Sequence, residues 1–142
     1  MRHVLEHLAD PIASLTKVEK ALSENGLFYV AVPNNMKPKG SLERYWYRAV
    51  HTYYFNRVTL EYMCRKVGLE PILIIEGDEL SKHELVLVCQ KNRELAPPSI
   101  DPQNYAAQRS VIKNHSSMQN SILTKLRRFS ARLFLAVKNR KN

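Results

Sequence analysis

Gly26-Leu27-Phe28-Tyr29-Val30-Ala31-Val32-Pro33-Asn34 is the stretch on which the reading of this chain turns. Leu27 to Val32 is a short run of β-branched and aromatic residues, the composition of a buried strand. Pro33-Asn34-Asn35 ends it. Upstream, Asp10-Pro11 opens a helix, with Asp accepting from free backbone N–H groups as N-cap and Pro at the first helical position. Ile12, Leu15, Val18 and Leu22 then recur at helical spacing and give one apolar face. Asn25-Gly26 is expected to stop this helix, since glycine tolerates the left-handed conformation of a helix end.

Downstream, residues 34–55 have no clear period. Lys37, Lys39, Arg44 and Arg48 alternate there with Tyr45, Trp46, Tyr47, Tyr53, Tyr54 and Phe55. The segment reads as a long loop with a helical piece near Leu42–Val50, and long loops inside compact domains are often binding segments. Asn56 caps a helix that carries Leu60, Met63, Cys64 and Val67 and ends at Gly68. Pro71 to Ile75 reads as a strand, Gly77-Asp78 as a turn, and Glu84 to Gln90 as a strand covered on both faces, because Leu85 to Cys89 is continuously apolar.

After Lys91 the character changes. Pro97, Pro98 and Pro102 mark a linker over 93–117, and a basic amphipathic helix is expected over 118–142. Ile122, Leu126, Phe129, Leu133 and Val137 form its apolar stripe, with Phe134 beside it and Lys125, Arg128, Arg132 and Lys138 off it; such a face either packs on the domain, the usual outcome, or lies in a membrane interface. The whole excess of positive charge lies here. Residues 1–90 balance 11 Lys+Arg against 11 Asp+Glu, whereas residues 91–142 hold 11 Lys+Arg against only Glu94 and Asp101. Any attraction to an anionic partner therefore belongs to the tail. No apolar run approaches the roughly 20 residues of a membrane span, and Glu6 and Asp10 speak against a signal peptide. Cys64 and Cys89 read as buried free thiols, which suits a cytoplasmic protein, with membrane association through the tail as an added expectation.

Helix–strand alternation over 1–92 points to an α/β sheet. Three patterns carry the reading further. Val4-Leu5-Glu6-His7-Leu8 followed by Asp10-Pro11, the 26–34 strand and its exit, and His51-Thr52-Tyr53-Tyr54-Phe55 with Thr59-Leu60 and Val67-Gly68-Leu69 occur in this order. Together they resemble the C-terminal half of class I S-adenosylmethionine-dependent methyltransferases of the type 11 and type 23 groups. The resemblance implies a partial Rossmann-like methyltransferase sheet, strands 5, 6 and 7 with flanking helices, followed by the C-terminal helical tail. The last apolar strand would be the inserted, antiparallel seventh, and Met1 would stand at the end of the fourth.

The same resemblance implies S-adenosylmethionine as cofactor of the parent domain, bound where the strand order reverses. Its glycine-rich turn has no counterpart here, because Gly26, Gly40, Gly68 and Gly77 are too far apart. The expectation is thus a methyltransferase fragment, inactive alone, with Met1 an internal methionine read as a start. By resemblance Glu6 faces the cofactor crevice, and His7 is the candidate catalytic base for an acceptor hydroxyl. The alternative for this pair is structural: His7 packs under the next helix and Glu6 bonds to backbone. His51, Tyr53 and Tyr54 are candidates to line the acceptor pocket; Arg44, Arg48 and the aromatics near Trp46 either bind an anionic or sugar-like acceptor or form an ordinary amphipathic surface helix. Related ubiquinone-pathway enzymes carry a further glutamate three residues before Glu6. His3 stands there in this sequence, and no metal ligand is assigned.

Three functions compete at this point. The chain is an enzyme fragment acting on a small-molecule or glycan acceptor, a binding module whose tail meets a membrane surface, or a half-domain that pairs with a partner protein or with itself. Nucleic acid fits less well, since the tail stripe is mostly aliphatic and offers few bases a stacking platform.

Overall fold

The computed structural model describes residues 1–77, 82–92, 94–95, 99 and 101–139, and within its helices the side chains of 44, 45, 122, 123 and 133–139 fall outside the description. A 3-10 turn at Leu5–His7 precedes helix α1 (Pro11–Ala21), strand β1 (Leu27–Pro33), a π-type turn at Leu42–Trp46, helix α2 (Arg57–Lys66), strands β2 (Leu69–Glu76) and β3 (Glu84–Lys91), and helices α3 (Asn104–Asn120) and α4 (Ile122–Asn139).

Local chemistry explains the two helices that flank the sheet. Asp10 accepts from the Ala13 N–H at 2.8 Å with Pro11 at the first helical position, as expected. Asn56 accepts from the Thr59 N–H at 2.9 Å, and the Thr59 hydroxyl accepts from the Asn56 N–H at 3.0 Å, a reciprocal capping box. The end of α1 departs from expectation. The helix stops at Ala21, and Gly26 keeps a negative-side backbone. What Gly26 supplies is space, because a Cβ there would meet Leu22 Cγ at 2.8 Å and Ser23 Oγ at 2.9 Å. Left-handed glycine instead follows α2, at Gly68 with φ +82°. Gly77 also takes a positive φ; Asp78 of the expected turn lies outside the described residues, as do Pro97 and Pro98.

Among the described residues the sheet has three strands in the order β1-β3-β2, with β3 antiparallel to both neighbours. The last strand in sequence is therefore the central one. Leu85, Leu87 and Cys89 are buried on its core face, but on the other face only Val86 is buried and Val88 is half-buried, so the expected two-sided cover is met in part. One face meets α1 and α2 in a core of Leu15, Phe28, Val30, Val32, Leu60, Cys64, Leu69, Leu85, Leu87 and Cys89. The opposite face is only part-covered. Tyr29 and Leu73 both lie opposite Val88, on either side of it, and remain exposed, as does Leu27. β1 is thus half-buried rather than buried throughout, because the helices cover one face alone.

The outer edge of β1 is met by the chain's own beginning. Arg2 and Ala31 form a parallel bridge, with His3 N–H to Ala31 O at 2.9 Å, Ala31 N–H to Met1 O at 3.0 Å and the Met1 ammonium to Tyr29 O at 2.6 Å.

The region read as a linker is largely helical, since α3 occupies Asn104–Asn120. Two polar bonds dock it: Asn56 Nδ2 donates to Asn104 Oδ1 at 2.7 Å, and His115 Nε2 donates to Gly40 O at 2.6 Å. α4 follows from Ile122, close to the expected start, yet its middle buries no side chain: every residue from Lys125 to Arg132 is exposed, although Arg128 donates to Gln119 of α3. Leu126 and Phe129 of the stripe are 60% and 67% exposed, while the side chains of Ile122, Leu133, Phe134 and Val137 lie outside the described residues.

Asn56 serves both the cap of α2 and the docking of α3, and it is 2% exposed. Asn56→Ala should lower stability by about 1–2 kcal/mol, the usual worth of an N-cap. Asn56→Asp should lose less, since it keeps the acceptor for Thr59 and forfeits only the donor to Asn104. Urea denaturation midpoints compare the three proteins, and an unchanged midpoint for Asn56→Ala would contradict this account.

Candidate functional site

The 3-10 turn and the end of the 34–55 loop converge because the Glu6 carbonyl accepts two bonds at once. Thr52 N–H reaches it at 2.8 Å and Tyr53 N–H at 3.1 Å. The loop begins and ends in one place, since Asn34 bridges to Phe55 and Asn35 N–H donates to Phe55 O at 2.7 Å. These bonds bring His51 to His7, with ring centres 4.9 Å apart and edge-on. Tyr54 stands 6.0 Å from His51, and Tyr47 4.7 Å from Tyr54, so the four rings form a continuous row. Tyr53 goes the other way, stacking on buried Phe55 and donating to Ala9 O at 3.3 Å. Glu6, His7, His51 and Tyr54 therefore share one site, and Tyr53 supports it from the core side.

His7 has a defined tautomer. Its Nδ1 lies 2.7 Å from the Val50 carbonyl, which can only accept, so Nδ1 carries the hydrogen. In the neutral ring Nε2 is then a free base, and it faces Glu6 Oε1 at 3.8 Å. Glu6 is 1% exposed, and its Oε2 is buried without a hydrogen-bond partner, an acceptor left open. Ligand atoms of Glu6, His7 and His51 lie within 4.8 Å of one another, so this set could also hold a cation, although the sequence reading assigns no metal here.

A second carboxylate extends the cluster. His3 sits between Glu84 Oε1 at 2.7 Å and Glu6 Oε1 at 3.4 Å, and Arg2 donates to Glu84 at 3.0 Å. Burial pushes the Glu84 carboxyl up, but hydrogen bonds from His3 and Arg2, with their charges, bring it below its ordinary value. His3 adopts φ +51°, a left-handed backbone that costs a non-glycine residue free energy and persists only when its surroundings fix it. Here the main chain is held by Ala31 and the ring by two carboxylates. Sequence reasoning missed Arg2, Glu84 and this use of His3, because 81 residues separate His3 from Glu84 and only the β1–β3 register joins them. Trp46, around which the sequence gathers aromatics as acceptor candidates, is itself buried and donates to Asn35 Oδ1 at 3.0 Å. Arg48 is exposed at the rim, and the side chain of Arg44 lies outside the described residues.

Residues 1–74 match the family model described as a methyltransferase domain, type 23, and the match spans more than half of the chain. The chain belongs to this methyltransferase-domain family. Its class is the S-adenosylmethionine-dependent one, and the segments that carry the match include both halves of the cluster. No curated protein matches the chain. Fit to the cofactor is partial within these 142 residues. The open Glu6 Oε2 offers one buried acceptor, but no glycine-rich turn is present to approach an adenosine.

Burial, and next the charge of His7, hold the His51 imidazole below its ordinary value near 6.5; Arg48 acts in the same sense, while Glu6 and a hydrogen bond to the Trp46 carbonyl oppose. As pH falls, the unfolded chain binds this proton first, so the folded state loses stability in a window that opens near pH 6.5 and closes at the lower folded value. The contribution is fully present above the window. We expect the His51 ring to titrate below 6.5 by NMR, and the drop in urea midpoint from pH 7.5 to 5.5 to be smaller in His51→Gln. A titration midpoint at or above 6.5 would show that the ring is better hydrated than its neighbours imply.

Proposed function

We propose that the chain forms the acceptor-side half of an S-adenosylmethionine-dependent methyltransferase domain, with a small-molecule or glycan-type acceptor, and is inactive alone. The observation that carries this reading is the strand order. A sheet of β1-β3-β2 with the last strand inserted antiparallel between two others is what strands 5, 7 and 6 of the family would give, and the match over 1–74, which spans β1 and most of β2, supports a methyltransferase origin for those two strands. The parallel bridge of Arg2 to Ala31 supports placing Met1–His3 at the end of the fourth strand.

S-adenosylmethionine, when bound, would supply an electrophilic methyl group on its sulfonium. The chain's own residues would place the acceptor and take its proton. His7 Nε2, freed by the Val50 bond, accepts the hydroxyl proton, which then sits beside the Glu6 carboxylate. On this reading the open Glu6 oxygen is the acceptor kept for the cofactor. His51 and Tyr54 line the acceptor, Tyr53 backs them, and Arg48 offers a cation to an anionic or sugar-like group. Holding donor and acceptor in line is the larger part of such catalysis.

Cofactor contacts then come from another stretch of polypeptide, in the same chain or a separate one. The exposed Leu27, Tyr29 and Leu73 on the open face of the sheet support this, as does the alternative reading of a non-catalytic half-domain that pairs with a partner or with itself. One experiment tests both. The first four strands of a type 23 methyltransferase domain are fused ahead of Met1. The chain alone should show no micromolar binding of S-adenosylmethionine by calorimetry and should self-associate in sedimentation. The fusion should be monomeric and bind the cofactor. Micromolar binding by the chain alone, or a folded fusion that binds nothing, would remove the reading.

A further inference from the structure

α4 is 18 residues long, about 27 Å at the usual rise, and holds five basic residues and no acidic one. Leu126 and Phe129 stand three apart on one face and are more than half exposed. Lys125, Arg128 and Arg132 lie along one side of that face and Arg127 across from them, all exposed. No helix among the described residues is long and apolar enough to cross a membrane. An exposed apolar stripe flanked by cations, on a helix of modest overall hydrophobicity, has the form of a helix that lies in a bilayer surface.

We propose that α4 docks the protein onto an anionic lipid surface. Leu126 and Phe129 enter the boundary between headgroups and acyl chains, and Lys125, Arg127, Arg128 and Arg132 meet the lipid phosphates and carboxylates. Charge complementarity decides among occupants. A second copy of α4 would bring five cations against five with no acidic residue to offset them. A nucleic acid would engage the cations but leave Leu126 in water, and the mostly aliphatic stripe gives its bases little to stack on. Only an anionic bilayer satisfies both faces of the helix. The site is independent of the methyl-transfer reading, because among the described residues 125–132 make no hydrogen bond, ion pair or ring contact with Glu6, His7 or His51.

Co-sedimentation of the full chain with vesicles of phosphatidylcholine, with and without 30% phosphatidylserine (about the share that makes a bilayer strongly anionic), tests the proposal. The chain should favour anionic vesicles by at least about 10-fold and release as salt rises, since screening weakens surface charges. Lys125, Arg128 and Arg132 changed together to Gln should lower binding by about 100-fold, following the usual worth of a basic residue near such a surface. Leu126→Asp with Phe129→Asp should abolish binding. These positions are exposed, and circular dichroism checks that the helix remains. Equal binding to both vesicle types, or binding unchanged by the paired Asp variant, would overturn the proposal. So would a dimer broken by that variant without any vesicle binding, or a tighter, equally salt-sensitive complex with a single-stranded oligonucleotide.

Discussion

Everything in this domain hangs on β3 having a partner along each edge. Among the described residues it is the last strand in sequence and the middle strand of the sheet, and β1 and β2 are joined through it. Leu27 pairs with Gln90 and Pro33 with Glu84, contacts that close long loops before they return any binding. Once β3 is in place, its inward residues Leu85, Leu87 and Cys89 complete the floor on which α1 and α2 lie. The same register carries Glu84 to His3 and so assembles the outer part of the polar cluster.

The cluster shows how a small domain positions polar groups around one buried carboxylate, Glu6. Backbone bonds do most of the placing: the Glu6 carbonyl gathers the His51–Phe55 segment, and the Val50 carbonyl fixes the His7 ring. Side chains then form a single polar chain, from Arg2 and Glu84 through His3 to Glu6 and His7. Because Glu6 is buried, its field acts through protein rather than water, which strengthens its effect on neighbouring rings.

Legibility in the sequence followed the range of the causes. The caps at Asp10 and Asn56, the helical stripes and the continuous apolar run of β3 are local signals, and each led to an element in the expected place. Family patterns brought out Glu6, His7, His51 and Tyr54, which the fold does gather. α3 was invisible because it buries no residue and has no apolar stripe; its docking rests on Asn56–Asn104 and His115–Gly40, pairs 48 and 75 residues apart. The exposed faces of Leu27 and Tyr29 were hidden for a related reason. A β-branched and aromatic run announces a strand, but not how many of its faces the rest of the chain covers.

Cys64 on α2 and Cys89 on β3 are free and fully buried where helix meets sheet. A hydrogen bond to Cys89, followed by burial, raises the Cys64 thiol far above its ordinary value. Alkylation needs both access and a thiolate, and the packed domain withholds both. These two sulfurs thus make a built-in chemical clock. Their labelling rate counts how often α2 lifts from the sheet, and it stays blind to fraying in α3 and α4, where there is no cysteine to modify.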